Sequence, residues 1–134
     1  MGLHDEAKLD SKFTDFARQM NLYLNHFPKH EKYGLALEIR RAAYDVYSFM
    51  VEAQKRYHKK TAITNLDVRH EQLRMLLRLA HALNYFEFKD GQHHHPEKDG
   101  EHRYLVISRM VDELGRMIGG WIVAERALDK REAS

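Results

Sequence analysis

The chain of 134 residues has no cysteine, which excludes disulfides and thiolate metal sites. No run approaches the eighteen or so apolar residues of a membrane span, and the first thirty residues lack the apolar centre of a signal peptide. No segment alternates with period two, so no strand is expected. Gly-rich phosphate loops, nucleophile elbows and paired-carboxylate constellations are all missing. An excess of one charge is missing too. Lys and Arg number 22 against 20 Asp and Glu, a formal net charge of +2, so an anion site has to come from local clustering. Together these absences describe a soluble, cytoplasmic, non-enzymatic single domain with no cofactor.

What is present is helical periodicity. Phe13, Phe16, Met20, Tyr23 and Phe27 step by three and four, as do Ala36, Ile39, Ala43, Val46, Met50, Ala53 and Tyr57. Leu73, Leu76, Ala80 and Leu83 repeat the pattern, and so do Tyr104, Ile107, Val111, Leu114, Ile118 and Trp121. Such spacing puts each set on one face of a helix. The reading is an all-α, antiparallel up-down four-helix bundle, with helices at about 11–27, 30–58, 65–88 and 102–129. Asp10 or Ser11 is the expected first cap, Pro28 the first corner, Thr61–Asn65 the second break, and 89–101 the one true loop. Residues 1–10 and 130–134 are expected to fray. Gly115 and Gly119, one turn apart inside a helix, suggest close helix approach, because glycine there costs about 1 kcal/mol relative to alanine.

Three groups of residues could carry function. His93, His94 and His95 with His102 offer imidazoles, but adjacent loop histidines do not converge on a tetrahedral site, and no suitably spaced carboxylate supports them. No Glu-x-x-His pair of the di-iron type lies on a core face. No metal is expected. The second group is basic: Arg40 and Arg41 in the second helix, then Lys55, Arg56, Lys59 and Lys60 with Tyr57 and His58 among them. Interleaved cations and aromatics can contact phosphate and stack on bases, although most such runs are solvated faces. Arg74 and Arg78 stand apart, one turn from each other beside the leucine seam, with His81 and Tyr85 continuing their line. Arginine suits bidentate contact with phosphate or carboxylate. The third group is surplus apolar surface. Tyr33, Tyr44, Tyr47, Met110 and Met117 exceed what one thin bundle buries, which points to subunit contact.

The segments FPKHEKYGLALEIRRAAY (27–44), LRMLLRLAHAL (73–83) and ELGRMIGGWI (113–122) carry a resemblance. In their order and spacing the chain resembles the Avd family, the accessory variability determinants of diversity-generating retroelements. More distantly it resembles the four-helix-bundle proteins of 23S rRNA intervening sequences, whose oligomeric structural role, without a polymerase partner, is the alternative reading. The resemblance covers roughly 11–125. It implies a non-catalytic homo-oligomer, a pentamer, that binds the retroelement reverse transcriptase and template RNA or other nucleic acid. In that role it would support cDNA synthesis and mutagenic retrohoming. The family's paired arginines on the third helix fall on Arg74 and Arg78, which places partner binding there.

Overall fold

A computed structural model describes residues 3–55, 59–91 and 94–133. Four helices account for most of it: α1 (Leu3–Leu24), α2 (Leu35–Ala53), α3 (Lys59–Ala82) and α4 (Pro96–Ala133), with one 3-10 turn at Lys29–Glu31. They form an antiparallel four-helix bundle in which α1 lies against α2 and α4, and α3 against α2 and α4. Salt bridges mark those seams: Lys12 to Glu113 at 3.1 Å between α1 and α4, Arg69 to Asp45 at 2.9 Å between α3 and α2, and Lys60 to Asp129 at 3.0 Å between α3 and α4. Among the described residues no helix is long and apolar enough to cross a membrane.

The seams of the first, second and fourth helices are buried as their spacing requires, except that Tyr104 is half-buried beneath His81. Phe13, Phe16, Met20, Tyr23 and Phe27 pack against Ala36, Ile39, Ala43, Val46, Met50 and Ala53, and against Ile107, Val111, Leu114, Ile118 and Trp121. Tyr57 of the expected second seam lies outside the described residues. The third seam differs from expectation. It runs Leu66, His70, Leu73, Leu77, Ala80, while Leu76 is half-buried and Leu83 is 46% exposed.

The helix ends also move, each for a physical reason. The first helix starts at Leu3 rather than near 11, because Leu9 is fully buried and extends the seam one turn back. The second starts at Leu35, not near 30. The Glu31 carboxylate accepts from the Leu35 backbone N–H at 3.2 Å, and a Cβ at Gly34 would collide with that carboxylate. It ends at Ala53, so its 19 residues make a rod of about 28 Å.

The third helix begins at Lys59 and takes in the whole Thr61–Asn65 stretch. Ala62, Ile63 and Leu66 are buried there, and this burial outweighs the weak helix preference of the threonines. It stops at Ala82, well short of Phe88. Asn84 adopts a left-handed φ of 64°, while Tyr85 N–H reaches the Ala80 carbonyl and Asn84 N–H the His81 carbonyl, each at 3.0 Å. That pair of bonds is a Schellman stop. The fourth helix begins at Pro96, six residues before the expected 102. Proline suits a first turn, and the turn is closed by His95 N–H to Asp99 Oδ2 at 3.1 Å and Asp99 N–H to His95 O at 2.8 Å.

Two polar side chains lie inside the core. His70 Nε2 bonds the Val111 carbonyl at 2.8 Å, and a Cβ on Gly115 would sit 2.7 Å from His70 Cε1. Gly115 therefore makes room for an imidazole from α3. Gly119 does not share this role: a Cβ there meets nothing within 4 Å. Arg103, 6% exposed, donates to the Phe86 and Phe88 carbonyls at 2.7 Å each and pairs with Asp90 at 3.0 Å. Its guanidinium lies 3.8 Å from the centre of the Phe88 ring, which also stacks on His26 at 4.4 Å. It holds the segment after α3 against α4.

The two glycines should respond oppositely to alanine. Gly119→Ala is expected to stabilise the fold by about 0.5–1 kcal/mol through helix propensity alone. Gly115→Ala should destabilise it by roughly 1–3 kcal/mol, because the imidazole it meets is held by a hydrogen bond. Urea denaturation of the two variants beside wild type checks both signs.

Candidate binding face on the third and fourth helices

Arg74 and Arg78 are both exposed on the edge of α3 that faces α4. Two contacts fix that edge. His81, one turn on, stacks flat on Tyr104 at 4.1 Å and 4°, with its Nε2 3.4 Å from Glu101. His70, one turn before, bonds Val111. The line does not extend to Tyr85, which lies past the end of α3 and donates its hydroxyl to Glu31 at 2.7 Å. That bond holds the Glu31 carboxyl below its ordinary range, together with the Leu35 N–H.

The paired arginines are not equivalent. Arg74 makes a bidentate pair with Glu71, Nε to Oε2 at 3.0 Å and Nη2 to Oε1 at 2.7 Å. The hydrogen bond from Arg74 is the main reason the Glu71 carboxyl lies below its usual range, and Glu71 in turn raises Arg74. Asp112 of α4 is near enough to add to that effect. Arg78 has no hydrogen-bond or carboxylate partner among the described residues, so its guanidinium is free for an external ligand.

The other basic residues do not converge with these two. Arg40 is turned to α1, with Nε on Asn21 Oδ1 and Nη2 on Asn25 Oδ1, each at 3.0 Å. Asn21 also donates to the Tyr44 hydroxyl at 3.2 Å, so this is a polar clasp between α1 and α2. Arg41 pairs with Glu38 at 3.4 Å and Lys60 with Asp129. Lys55 is exposed beyond the end of α2. Arg56 and the Lys59 side chain lie outside the described residues, as does His93. His94 Nδ1 is 3.8 Å from Asp99, and His102 is exposed. Among the described residues no group of three or more His, Asp or Glu side chains could hold a metal ion.

Reading by spacing passes over the arginines of α4. Arg109, Arg116 and Arg126 are exposed, and like Arg78 they lack a carboxylate partner among the described residues. Arg126 stands at the rim of a groove of about 440 Å³ between the start of α3 and the end of α4, lined also by Lys60, Ile63, Asp67, Ile122 and Asp129. The available signal is the seven-residue spacing of Arg109 and Arg116, which puts both on the side of α4 opposite the Ile107–Trp121 seam.

A family model described as bAvd-like matches residues 8–125. The chain belongs to the bAvd-like family. These are the bacterial Avd proteins of diversity-generating retroelements, accessory proteins that are generally non-catalytic. No curated protein and no solved structure matches the chain significantly. The matched stretch takes in most of all four helices, and with them Arg74, Arg78, Arg109 and Arg116; Arg126 falls one residue beyond it.

The Arg74–Glu71 pair has a direct titration test. The Glu71 carboxyl should titrate below the ordinary glutamate range, and Arg74→Ala should return it upward toward that range. Because the folded value is the lowered one, the pair stabilises α3 above the ordinary glutamate range. That contribution disappears as pH falls through the lowered value. Carboxyl carbon NMR shifts of Glu71 in the two proteins are the measurement.

Proposed function

We propose that this protein is the accessory subunit of a diversity-generating retroelement, acting as a homo-oligomer that joins the retroelement reverse transcriptase to template RNA. The observation that carries the reading is the bAvd-like match over 8–125, with Arg74 and Arg78 exposed side by side on α3. Arg78 offers an unpaired guanidinium, and Arg74 one that a competing carboxylate or phosphate can take from Glu71. Partner docking is assigned to these two. Lys55, Arg56, Lys59 and Lys60 remain the proposed nucleic-acid contacts at the α2–α3 corner. Arg40 and Arg41, already engaged by Asn21, Asn25 and Glu38, would contribute through charge more than through new hydrogen bonds.

Self-association is supported by exposed apolar surface. Tyr33 is 80% exposed, and Tyr44, Tyr47 and Val51 are exposed along the same helix side. On α3 and just past its end, Val68, Met75, Leu79 and Leu83 form an outward stripe opposite the core, each 44–52% exposed. Two such faces on one small bundle suit a ring in which each copy meets two neighbours. Five copies is the number the family resemblance implies.

The test is a pull-down from the native host with wild type and with Arg74→Glu/Arg78→Glu, identifying protein and RNA together. Wild type should recover a reverse transcriptase and a discrete RNA. The double variant, still helical and still oligomeric, should recover at least about tenfold less of the reverse transcriptase. Undiminished recovery by the double variant would remove these arginines from the docking face.

A further inference from the structure

The geometry points to the outward side of α4 as a track for a nucleic-acid phosphate backbone, formed by Arg109, Arg116 and Arg126 with Arg78 of α3 at one end. This rests on the nucleic-acid half of the proposed function and adds a second run of contacts to those proposed at the α2–α3 corner.

The inference starts from where arginines spend their charge. Arg18, Arg41, Arg69, Arg74 and Arg103 each meet a carboxylate of their own chain, and Arg40 meets two asparagines. The described arginines left without such a partner are Arg78, Arg109, Arg116 and Arg126, and all four reach solvent on two adjacent helices. A chain of net charge +2 has nearly enough carboxylates to pair every cation, so leaving four arginines unmatched on one side makes a local field that the total charge hides.

Their placement is linear. Arg109 and Arg116 are seven residues apart, close to two full turns, and so point the same way about 10 Å apart. Arg126 follows about 15 Å further on and is rotated toward α3, where it reaches the groove shared with Lys60 and Ile63. Arg78 stands between Arg74, which is near Asp112, and His81, which lies on Tyr104. Its turn is therefore level with 104–112 of α4, the stretch that carries Arg109. The row spans about 25 Å, enough to follow several successive phosphates. Between Arg116 and Arg126, Gly119 and Gly120 leave open space where side chains would stand, so a strand can lie close to the helix there. Beside Arg126 stand Glu125 and Asp129, the latter engaged by Lys60; nearer Arg109 the opposing charge is Asp112, which acts on Arg74. Glu113, its neighbour, is engaged by Lys12.

The ligand class follows from what the face lacks. The exposed aromatic side chains among the described residues, Tyr33, Tyr44 and Tyr47, are all on the α2 side, while Tyr104 is covered by His81 and Trp121 is buried. With no ring on which to stack bases, the face reads phosphate and not sequence.

The experiment uses the purified full chain and fluorescein-labelled single strands of about 20 nucleotides, long enough to cover the row: two RNAs of unrelated sequence and one DNA. Wild type should bind all three with similar affinity. Arg109→Glu/Arg116→Glu/Arg126→Glu should bind at least about tenfold more weakly, and the slope of log affinity against log salt should fall by roughly 2. A charge-matched control, Lys8→Glu/Arg18→Glu/Lys32→Glu, should keep the slope. Asp112→Asn should tighten binding roughly two- to fivefold at low salt. Retained affinity and slope in the triple α4 variant, with wild type binding, would overturn the track and leave the nucleic-acid reading standing. No binding by wild type would overturn that reading as well. Displacement of RNA by polyglutamate at equal charge would reassign the face to an acidic protein surface, and a preference of about tenfold between the two RNAs would refute a backbone-only contact.

Discussion

The separation of α3 and α4 is set by one imidazole. His70 enters the core from α3, bonds a carbonyl of α4, and needs the missing side chain of Gly115 to fit. The arginines proposed as binding residues on α3 and α4 lie on either side of that contact. Arg74 and Arg78 follow it along α3, and the α4 arginines flank it. A wider gap would part His81 from Tyr104 and split one cationic surface into two thin rows. The backbone carbonyl of Val111 already serves its own helix, so the extra hydrogen bond satisfies a buried ring nitrogen without leaving the helix short of a bond.

The same structure shows how a nearly neutral protein can present a directional charge. Several cations of α2 and α3 meet carboxylates, Arg41 with Glu38, Arg69 with Asp45 and Lys60 with Asp129 of α4, while two neutral asparagines hold Arg40. On the outward side of α4 a local remainder is left, Arg109 and Arg116, which meet no carboxylate among the described residues. Electrostatic attraction of a polyanion depends on this local remainder within a Debye length of about 8 Å at physiological salt, not on the sum over the chain.

Much of this is legible in the sequence. Three of four seams, the helix count and the antiparallel order follow from spacing alone, because burying one apolar stripe per helix outweighs every other contribution to the fold. The boundaries are harder. Thr61–Asn65 reads as a break by composition, yet Ala62, Ile63 and Leu66 bury it into a helix, and Leu83 reads as seam although the chain has already begun to turn toward Asn84. Polar core residues are illegible for another reason. His70 and Arg103 occupy stripe positions, and whether such a residue is core or surface depends on a partner from another element that sequence does not pair with it. Arg40 is the converse case, a cation that looks free until Asn21 and Asn25 come beside it. Arg78 stands out because its neighbours are leucines, and Arg109, Arg116 and Arg126 escape notice because theirs are not.

Arg103 has a dynamic consequence. Its one guanidinium caps two carbonyls of the chain after α3, closes on Asp90 and lies on Phe88. A connection of this kind would ordinarily open on its own, exchanging its amide protons long before the helices do. Here, releasing it means leaving a buried cation without its ligands, so the connection and the first turns of α4 form one cooperative unit. In an amide exchange experiment the Glu87 N–H, bonded to the Asn84 carbonyl, would then exchange with the bundle rather than with a loop.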